Sequence, residues 1–381
     1  MDYAYEEIYK YAVAIRHKLH QYPEVGFELE KTVALVSGEL DKMGIEYTLQ
    51  YGRGSIGAEI GSGEKLIALR ADMDALPVEE KTDLPYKSKI PGKMHACGHD
   101  AHTAILLSVA KYLKTQESEL KCRIRLIFQP AEECAVSGAK MLVDNKVMDG
   151  VSEIICTHCE NLLETGKIGV CVGNYMAACI PATIRFFGKT SHATLPQFGI
   201  DANAMAVEAY QKMREAVKEE AKDTPYIWSV GRIQGGHVHN VISDLCEMDI
   251  SFRFYDMDFA ERVGKRVQEI CEEIAANYGG KVEINWNMST GPVINNKEVV
   301  DRIISAASKA EIPVEAIESR MSSEDFGWYL TKAPGALFRF GTRNEKKGCT
   351  TVAHNNDFLM DEDGMKFAIK TFCVCILNSC N

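Results

Sequence analysis

Residues 94–102 concentrate side chains that bind transition metals. This segment contains three histidines, one cysteine and one aspartate, namely His95, Cys97, His99, Asp100 and His102. An apolar run with helical spacing follows, so the sequence predicts that Cys97 and His99 lie on the turn entering a helix, where backbone N–H groups favour a thiolate. Imidazole and thiolate are the ligands that zinc-like ions prefer, and the cluster therefore indicates a metal site. A buried cysteine beside surface histidines is the alternative interpretation, which a lone Cys-x-His would favour.

A pair of aspartates follows the first buried strand that the sequence predicts. Residues 65–71 form a short apolar run, typical of a strand buried on both faces, and Asp72 and Asp74 come next in the chain. Carboxylates at this position are well placed to hold or orient a ligand. On local grounds, an Asx turn before Pro77 explains them equally well.

Adjacent glutamates follow a second predicted strand, over residues 123–128. Because successive side chains point apart, Glu132 and Glu133 can serve different partners, one as a metal ligand and the other as a general base. A charged helix start is the ordinary interpretation of such a pair. A third strand, over residues 153–156, leads into His158. Sites in α/β sheets gather at the carboxyl ends of strands, so we expect these segments to meet at one edge.

Composition and charge narrow the class of protein. The chain has 381 residues, of which 46% are hydrophobic and 25% charged, as in an ordinary globular protein large enough for two domains. The net charge of −11 argues against nucleic acid or an anionic membrane as a partner. No apolar run approaches the roughly 20 residues of a membrane span, and the acidic start lacks the apolar core of a signal peptide. We therefore expect a cytoplasmic protein.

The chain contains thirteen cysteines. Because the number is odd, the chain is long and no export signal is predicted, we expect reduced thiols rather than a disulfide framework. Cys156 and Cys159 have the C-x-x-C spacing, but a redox motif would open a helix, whereas this one ends an apolar run. A structural zinc site that uses these two thiols together with others is another alternative, and it would leave no coordination position for water.

The order of predicted elements divides the chain into two domains. Residues 175–289 follow the order β-α-β-β-α-β, which is the ferredoxin-like unit. This unit interrupts a first domain formed by residues 1–174 and 290–381, with linkers predicted at 166–174 and 289–293. The predicted fold class is α/β with an inserted ferredoxin-like domain.

Seven segments, taken in chain order, together resemble one known family. The sequence resembles the di-metal amidohydrolases that include aminoacylase and carboxypeptidase G, and within them the subfamily of hippurate hydrolase and the indole-acetyl-amino-acid hydrolases. This resemblance implies a mixed-sheet metallopeptidase (phosphorylase/hydrolase-like) catalytic domain, with the insert acting as a lid and dimerisation domain. The matching segments are residues 19–24, 70–77, 94–104, 129–133, 188–196, 240–242 and 323–326.

The resemblance also implies a site built around two divalent metal ions, which in the family are Zn, Mn, Co or Ni. Glu132 would be the general base, Asp74 would orient a metal ligand, and Asp72 replaces a histidine found in carboxypeptidase-type members. The implied metal ligands are Cys97, shared between the ions, and His99, Glu133, His158 and His354.

Three further residues are implied on the inserted domain. His192 matches a histidine that reaches the active site of the dimer mate, while Asn240 and Arg253 match a pair that holds the substrate carboxylate and assists the oxyanion. On local grounds His192 is an ordinary turn histidine and Arg253 an ordinary strand arginine, so the expectation of a homodimer through this domain comes from the resemblance alone. The chain departs from the family pattern at Gln197, at residues 237–239 and at Ser243, which leaves the substrate open.

The function that this implies is hydrolysis of the amide bond in N-acyl-L-amino acids, which are small-molecule substrates. N-acetyl-diaminopimelate deacetylation is the alternative within the same enzyme class. A catalytically silent binding protein on the same fold is the alternative outside it, and would be indicated by missing ligands. None of the implied ligand positions is missing from the sequence.

Overall fold

The computed structural model describes residues 2–380, with side chains from residue 5 onward, so Met1 and Asn381, at the ends of the predicted catalytic domain, lie outside the described residues. Contacts divide the chain into two compact units. The first unit consists of Met1–Tyr175, Val293–Ser319 and Asp325–Asn381, and the second of Met176–Pro292 and Arg320–Glu324.

The first unit combines one large sheet with helices. Its helices are α1 (Asp2–Gln21), α2 (Glu30–Met43), α3 (His99–Thr115), α4 (Gly138–Asp144), α7 (Lys297–Lys309), α8 (Gly327–Leu330) and α9 (Gly364–Ser379). Its strands are β1 (Tyr47–Thr48), β2 (Ile56–Gly61), β3 (Leu66–Asp72), β4 (Arg123–Gln129), β5 (Glu153–Glu164), β6 (Ile168–Val170), β7 (Gly173–Met176), β14 (Val293–Asn295), β15 (Val314–Ala316) and β16 (Gly335–Arg343).

The large sheet has eight strands in the order β1-β2-β4-β3-β5-β16-β6-β15, while β7 and β14 form a separate pair. Its four central strands, β4, β3, β5 and β16, run parallel to one another. Asp72 at the end of β3 lies opposite Gln129 at the end of β4. Parallel strands bring their carboxyl ends to one edge, and this edge carries the candidate site.

The helices bury apolar stripes against this sheet. In α1, Ile8, Ala12, Ile15 and Leu19 recur at helical spacing and are all buried, as the amphipathic pattern predicts. Helix α2 is capped by Gly44, whose left-handed backbone lets its N–H bond to carbonyl oxygens of the last turn. Among the described residues, none of the helices is both long enough and apolar enough to cross a membrane.

The second unit is a four-stranded antiparallel sheet with two long helices. Its elements are β8 (Ala178–Phe187), β9 (Ser191–His192), α5 (Ala202–Ala221), β10 (Tyr226–Gly235), β11 (Val241–Ile242), β12 (Leu245–Phe254), α6 (Met257–Tyr278) and β13 (Lys281–Trp286). The sheet order is β10-β12-β8-β13, which leaves β10 and β13 at the edges, and β9 pairs separately with β11. Both helices start at aspartate caps, Asp201 and Asp256, whose carboxylates accept backbone N–H groups of the first turn.

Three sequence-based boundaries were wrong. Strand β5 continues to Glu164, so His158 lies within the strand and not after it, because β16 pairs with β5 from Ile154 to Glu160 and again at Glu164. The segment predicted as a linker at 166–174 contains β6 and the start of β7. Residues 321–326 have a capping-type pattern that predicts a helix start, but helix α8 begins only at Gly327 and has a single turn without a side-chain cap.

The expectation that all cysteines are reduced was also wrong. Cys122, just before β4, and Cys380, just after α9, form a disulfide with a Cα–Cα distance of 5.1 Å. They are 258 residues apart in sequence, so only the packing of the chain end beside β4 brings them within the range of a disulfide. Among the described residues, the other cysteines form no disulfide.

Candidate metal centre

The turn before α3 places Cys97 and His99. Helix α3 begins at His99 and its N-cap is Gly98, which confirms the predicted helix entry. Gly98 has φ +82°, and a Cβ there would lie 2.5 Å from Sγ of Cys159, so both the backbone and the space require glycine. Nδ1–H of His99 donates to the backbone oxygen of Asp74 at 2.9 Å, which leaves Nε2 as the free ring nitrogen.

The turn after β4 places Glu132 and Glu133. Ala131 has φ +54°, an uncommon conformation for a residue with a Cβ, and the next two N–H groups then point to one acceptor. That acceptor is Asp74: Oδ1 accepts the N–H of Glu132 at 2.9 Å and Oδ2 accepts that of Glu133 at 3.1 Å. One buried carboxylate thus fixes both glutamates.

His158 and His354 approach from β5 and from the loop after β16. Nδ1–H of His158 donates to the backbone oxygen of Cys159 at 2.7 Å, and Nε2 lies 3.4 Å from Sγ of Cys97. The backbone N–H of His354 donates to Ala96 at 2.8 Å, with φ +70° at His354. Its Nε2 lies 3.0 Å from Oε1 of Glu133. The loop is therefore bonded directly to the segment that carries Cys97.

Two groups of potential metal ligands share Cys97. In each group the ligand atoms lie within 4.8 Å of one another. One group consists of Cys97, His99 and His158, and the other of Cys97, Glu133 and His354. Glu132 and Glu133 also form a group with His99, whose Nε2 lies 3.9 Å from Oε2 of Glu132. The structure therefore brings all five predicted ligands and the predicted base to one place.

The electrostatics of this cluster favour a bound cation. Nε2 of His99 is buried and makes no hydrogen bond among the described residues. Burial lowers the pKa of His99, but Asp72, Asp74 and Glu133 outweigh this effect and raise it to about 10. Burial, with Glu133 nearby, raises the pKa of the Cys97 thiol well above its usual range. Excess negative charge and a thiol that only a neighbouring cation would ionise fit a divalent transition-metal ion.

His158, on β5, favours the neutral form, whereas His99 favours the protonated form. Burial, with Arg339 and His102 nearby, holds the pKa of His158 well below its usual range. His158 is therefore a neutral imidazole at physiological pH, which is the form that binds metals.

Two other polar residues near the centre, Asp72 and His102, already make hydrogen bonds through their side chains. Both ring nitrogens of His102 are occupied: Nδ1 by Asp72 at 2.6 Å and Nε2 by the N–H of Cys159 at 3.0 Å. Asp72 also accepts from Arg70 at 2.6 Å. Cys156 and Cys159 lie three residues apart on strand β5, where such side chains point to opposite faces. Because one ion could not bind side chains on opposite faces of the strand, the alternative of a zinc site that uses both thiols is wrong.

Residues 68–378 match the sequence profile of Peptidase family M20/M25/M40. The chain is a member of this family. The resemblance found in the sequence is thereby confirmed, together with the mixed α/β fold class and the expectation of a hydrolase that cleaves amide or peptide bonds.

Relatives of known name are similar over nearly the whole chain. The thermostable carboxypeptidase 1 of Saccharolobus solfataricus is 36% identical over 368 residues, which cover 94% of this chain and 93% of that protein. The N-acetyl-L-cysteine deacetylase of Bacillus subtilis is 35% identical over 356 residues, which cover 93% and 84%. A solved Bacillus subtilis structure, described as a dinuclear metal binding peptidase from the M20 family, has a TM-score of 0.84 at 31% identity and covers 98% and 99%.

The remaining predicted site residues of this M20 member lie on the second unit. His192 and Asn240 are exposed neighbours: the N–H of Ala193 donates to the backbone oxygen of Asn240 at 3.0 Å, and β9 pairs with β11. Arg253 is half-buried near the end of β12, and Nη1 donates to Met321 and to Ser323, each at 3.0 Å. The ribbon of His192 and Asn240 adjoins the start of β12, and the eight residues from there to Arg253 span roughly 26 Å at ~3.3 Å per residue. Asn240 and Arg253 of one chain therefore lie at opposite ends of a strand.

The sequence analysis missed a buried polar cluster behind α3. Nδ1 of His20 lies 2.7 Å from Oδ2 of Asp100, which also lies 3.1 Å from Nε of Arg16. Nε2 of His20 lies 3.3 Å from Glu80. Asp100 directly follows His99, so this cluster anchors the first turn of α3. The available signal was the spacing of Arg16 and His20, which puts two polar side chains on the buried face of α1.

A second missed network lies below the carboxyl ends of β3 and β4. Asp325 is buried and accepts from Nη2 of Arg70 at 2.9 Å, from Nε2 of Gln129 at 2.8 Å and from Oγ of Ser137 at 2.7 Å. Arg70 also donates to Asp72. Arg70, Gln129 and Asp325 belong to segments that the resemblance matched, but their contacts with one another are long-range and have no local signal.

Proposed function

We propose that this M20 family member hydrolyses the amide bond of N-acyl-L-amino acids with the help of two divalent metal ions. The observation that carries the proposal is the pair of ligand groups that share Cys97, with Glu132 beside them. The names of the relatives, a deacetylase of an acylated amino acid and a carboxypeptidase, agree with an amide bond next to a free amino-acid carboxylate.

Cys97, His99 and His158 would hold one ion, and Cys97, Glu133 and His354 the other. The ions, taken from Zn, Mn, Co and Ni, would act as Lewis acids and make water acidic enough to attack near neutral pH. The hydrogen bonds of His99 and His158 to backbone oxygens engage Nδ1 of each ring, so Nε2 would be the nitrogen that binds an ion.

Glu132 is the proposed general base. Its carboxylate takes the proton from the attacking water and delivers it to the nitrogen of the leaving amine. Asp74 holds the backbone N–H of Glu132, which keeps the carboxylate beside His99. Glu133 cannot replace it as base, because its Oε1 lies 3.0 Å from His354 within a ligand group.

A second copy of the chain would complete the substrate site. Because Asn240 and Arg253 lie at opposite ends of β12, one substrate carboxylate cannot contact both in a single chain. The exposed ribbon of His192 and Asn240 would instead reach the site of the partner. Strand β10 is an exposed edge strand that offers unpaired backbone groups for dimerisation.

Glu132→Gln tests the base directly. The variant should bind metal and substrate as the wild type does but lose turnover, because an amide cannot accept the proton. Glu64→Gln, at an exposed glutamate, is the matched control.

A panel of substrates, offered to the metal-reconstituted protein, identifies the acyl group. The panel consists of N-acetyl and N-benzoyl amino acids, N-acetyl-diaminopimelate and dipeptides. Turnover retained in Glu132→Gln, or no turnover of any amide by the wild type, would contradict the proposal.

Mixed dimers test the contribution of the second copy. His192→Ala and Glu132→Gln homodimers should both be inactive, whereas an equilibrated mixture should recover ~25% of wild-type turnover, because half of its dimers contain one intact site. No recovery after proven subunit exchange, or a fully active monomer in sedimentation, would exclude catalysis across subunits.

A further inference from the structure

His102 joins three elements of the first unit below the metal ligands. Its ring is buried on α3, Nδ1–H donates to Oδ1 of Asp72 at 2.6 Å, and Nε2 accepts the N–H of Cys159 at 3.0 Å. Asp72 is the last residue of β3, and Cys159 lies on β5. The imidazole ring is 4.4 Å from that of His158, measured between centroids.

Nε2 of His102 accepts a backbone hydrogen bond from β5 at a point where β3 no longer pairs with that strand. Strand β3 pairs with β5 only as far as Arg70 and Cys156. Strand β5 then continues to Glu164 with β16 on its other side, and among the described residues no strand pairs with the side that faced β3 beyond Cys156. An unpaired buried N–H there would cost about 1–3 kcal/mol. His102 supplies the acceptor at Cys159, the residue that follows His158.

Asp72 determines which nitrogen of His102 carries the proton. Its Oδ2 accepts from Arg70 at 2.6 Å, and its backbone oxygen accepts from Oγ1 of Thr103 at 2.9 Å, so both its carboxylate and its backbone are held in place. A carboxylate at Nδ1 keeps the proton on that nitrogen, which leaves Nε2 as an acceptor. The orientation of the imidazole is therefore fixed before any ligand binds.

We propose that His102 is a positioning residue that holds the backbone of β5 at Cys159 and thereby sets Nε2 of His158 at 3.4 Å from Cys97. The proposal rests on the proposed metal binding by Cys97, His99 and His158. Both ring nitrogens of His102 are engaged in hydrogen bonds, so its effect on a bound ion would pass through the peptide that links His158 to Cys159.

Two conservative substitutions of His102 each keep one of its two hydrogen bonds and remove the other. In His102→Asn the amide lies near the position of Nδ1, so it can donate to Asp72 but cannot reach Cys159. In His102→Gln the amide lies near the position of Nε2, so its oxygen can accept the N–H of Cys159. Cobalt(II) affinity by chelator competition, the cobalt absorption spectrum and the thermal midpoint of the apoprotein are compared with those of the wild type.

The proposal expects an asymmetry between the two variants. His102→Asn should bind cobalt about 10–100-fold more weakly, the usual effect of losing a partner that orients a metal ligand, and its absorption bands should shift. His102→Gln should stay within a few-fold of the wild type. Exchange of the Cys159 amide hydrogen in the apoprotein should be faster in His102→Asn only, and this measurement needs no metal.

Three outcomes would overturn the proposal. Equal cobalt affinities in the wild type and both variants would remove the role of His102, while leaving the proposed function in place. Equal losses in both variants, with equal falls in the apoprotein midpoint, would make His102 a structural residue only. A wild type that binds no cobalt would overturn the proposed function as well, which distinguishes the two failures.

Discussion

Asp74 holds Glu132 by its backbone: Oδ1 of the aspartate accepts the N–H of the glutamate at 2.9 Å. The other oxygen, Oδ2, accepts the N–H of Glu133 at 3.1 Å, and the backbone oxygen of Asp74 accepts Nδ1–H of His99. This one residue, just after β3, therefore sets the proposed base and one proposed ligand on the turn after β4, and one proposed ligand at the start of α3. The residue that the resemblance assigned to orienting a ligand orients three groups.

Asp74→Asn should reduce turnover more than substrate binding. Only one oxygen would remain, so one of the two N–H groups would face an NH₂ group, at a cost of about 1–3 kcal/mol. We expect kcat to fall by about 10–100-fold, with KM changing less, because the base would be displaced while the substrate contacts stay. Asp144→Asn, an exposed aspartate of α4 paired with Lys140, is the control. Unchanged kcat in metal-saturated Asp74→Asn would contradict this role.

Removal of metal should destabilise the first unit. Ligands that bind only the folded state stabilise it by about 2.7 kcal/mol at a hundred times Kd, and the carboxylates around His99 would repel one another without the ions. We expect chelation to lower the thermal midpoint, and added zinc or manganese to restore it. Cys97→Ala, which removes the shared ligand of both groups, should abolish this response. A midpoint in the wild type that does not change with chelator would contradict metal binding in solution.

The spacing of polar residues predicted where the site would form. Asp72 and Gln129 end adjacent parallel strands at the same level, as expected for segments that follow buried strands. The helix entry at His99 was predictable because the apolar run behind it has helical period. Both results depend on local patterns, which single-sequence reasoning captures.

The contacts that hold the site together were not predictable in the same way. His158 was placed after a strand that in fact continues for six further residues, because pairing with β16 overrides the end of the apolar run. The same holds for His102 and Cys159, whose hydrogen bond joins residues 57 positions apart. Cys122 and Cys380 are joined over 258 positions. Such partners are set by tertiary packing, for which sequence spacing provides no signal.

Asp325→Asn should destabilise the protein strongly. Asp325 is buried and accepts from Arg70, Gln129, Ser137 and the N–H of Ala139. Removing its charge leaves the buried guanidinium of Arg70 with one carboxylate fewer, and disrupting such a pair typically costs about 3–5 kcal/mol. We expect a large fall in the urea midpoint of the apoprotein.

The control for that substitution is Asp301→Asn. Asp301 pairs with Lys297 on the exposed face of α7, four residues away, and such pairs contribute about 0.3–0.5 kcal/mol. The two substitutions make the same chemical change, so similar midpoints would show that the Asp325 network does not stabilise the fold.

Glu80 should make stability depend on pH in the acid range. Burial raises its pKa, but hydrogen bonds from His20, from Thr82 and from the N–H of Ser88 outweigh this effect and lower it from 4.5 to about 2. Because the folded-state pKa is the lower one, the stabilisation is fully present above about pH 4.5 and is lost as the pH falls through about 2. The stabilisation by Glu80 should be on the order of 2 kcal/mol once solvent screening is allowed for.

We therefore expect Glu80→Gln to be less stable than the wild type at pH 6, and the difference in stability to vanish near pH 2. Urea unfolding of both apoproteins across this range, with Glu64→Gln beside them, measures the difference, and a gap that does not change with pH would exclude ionised Glu80 as its source.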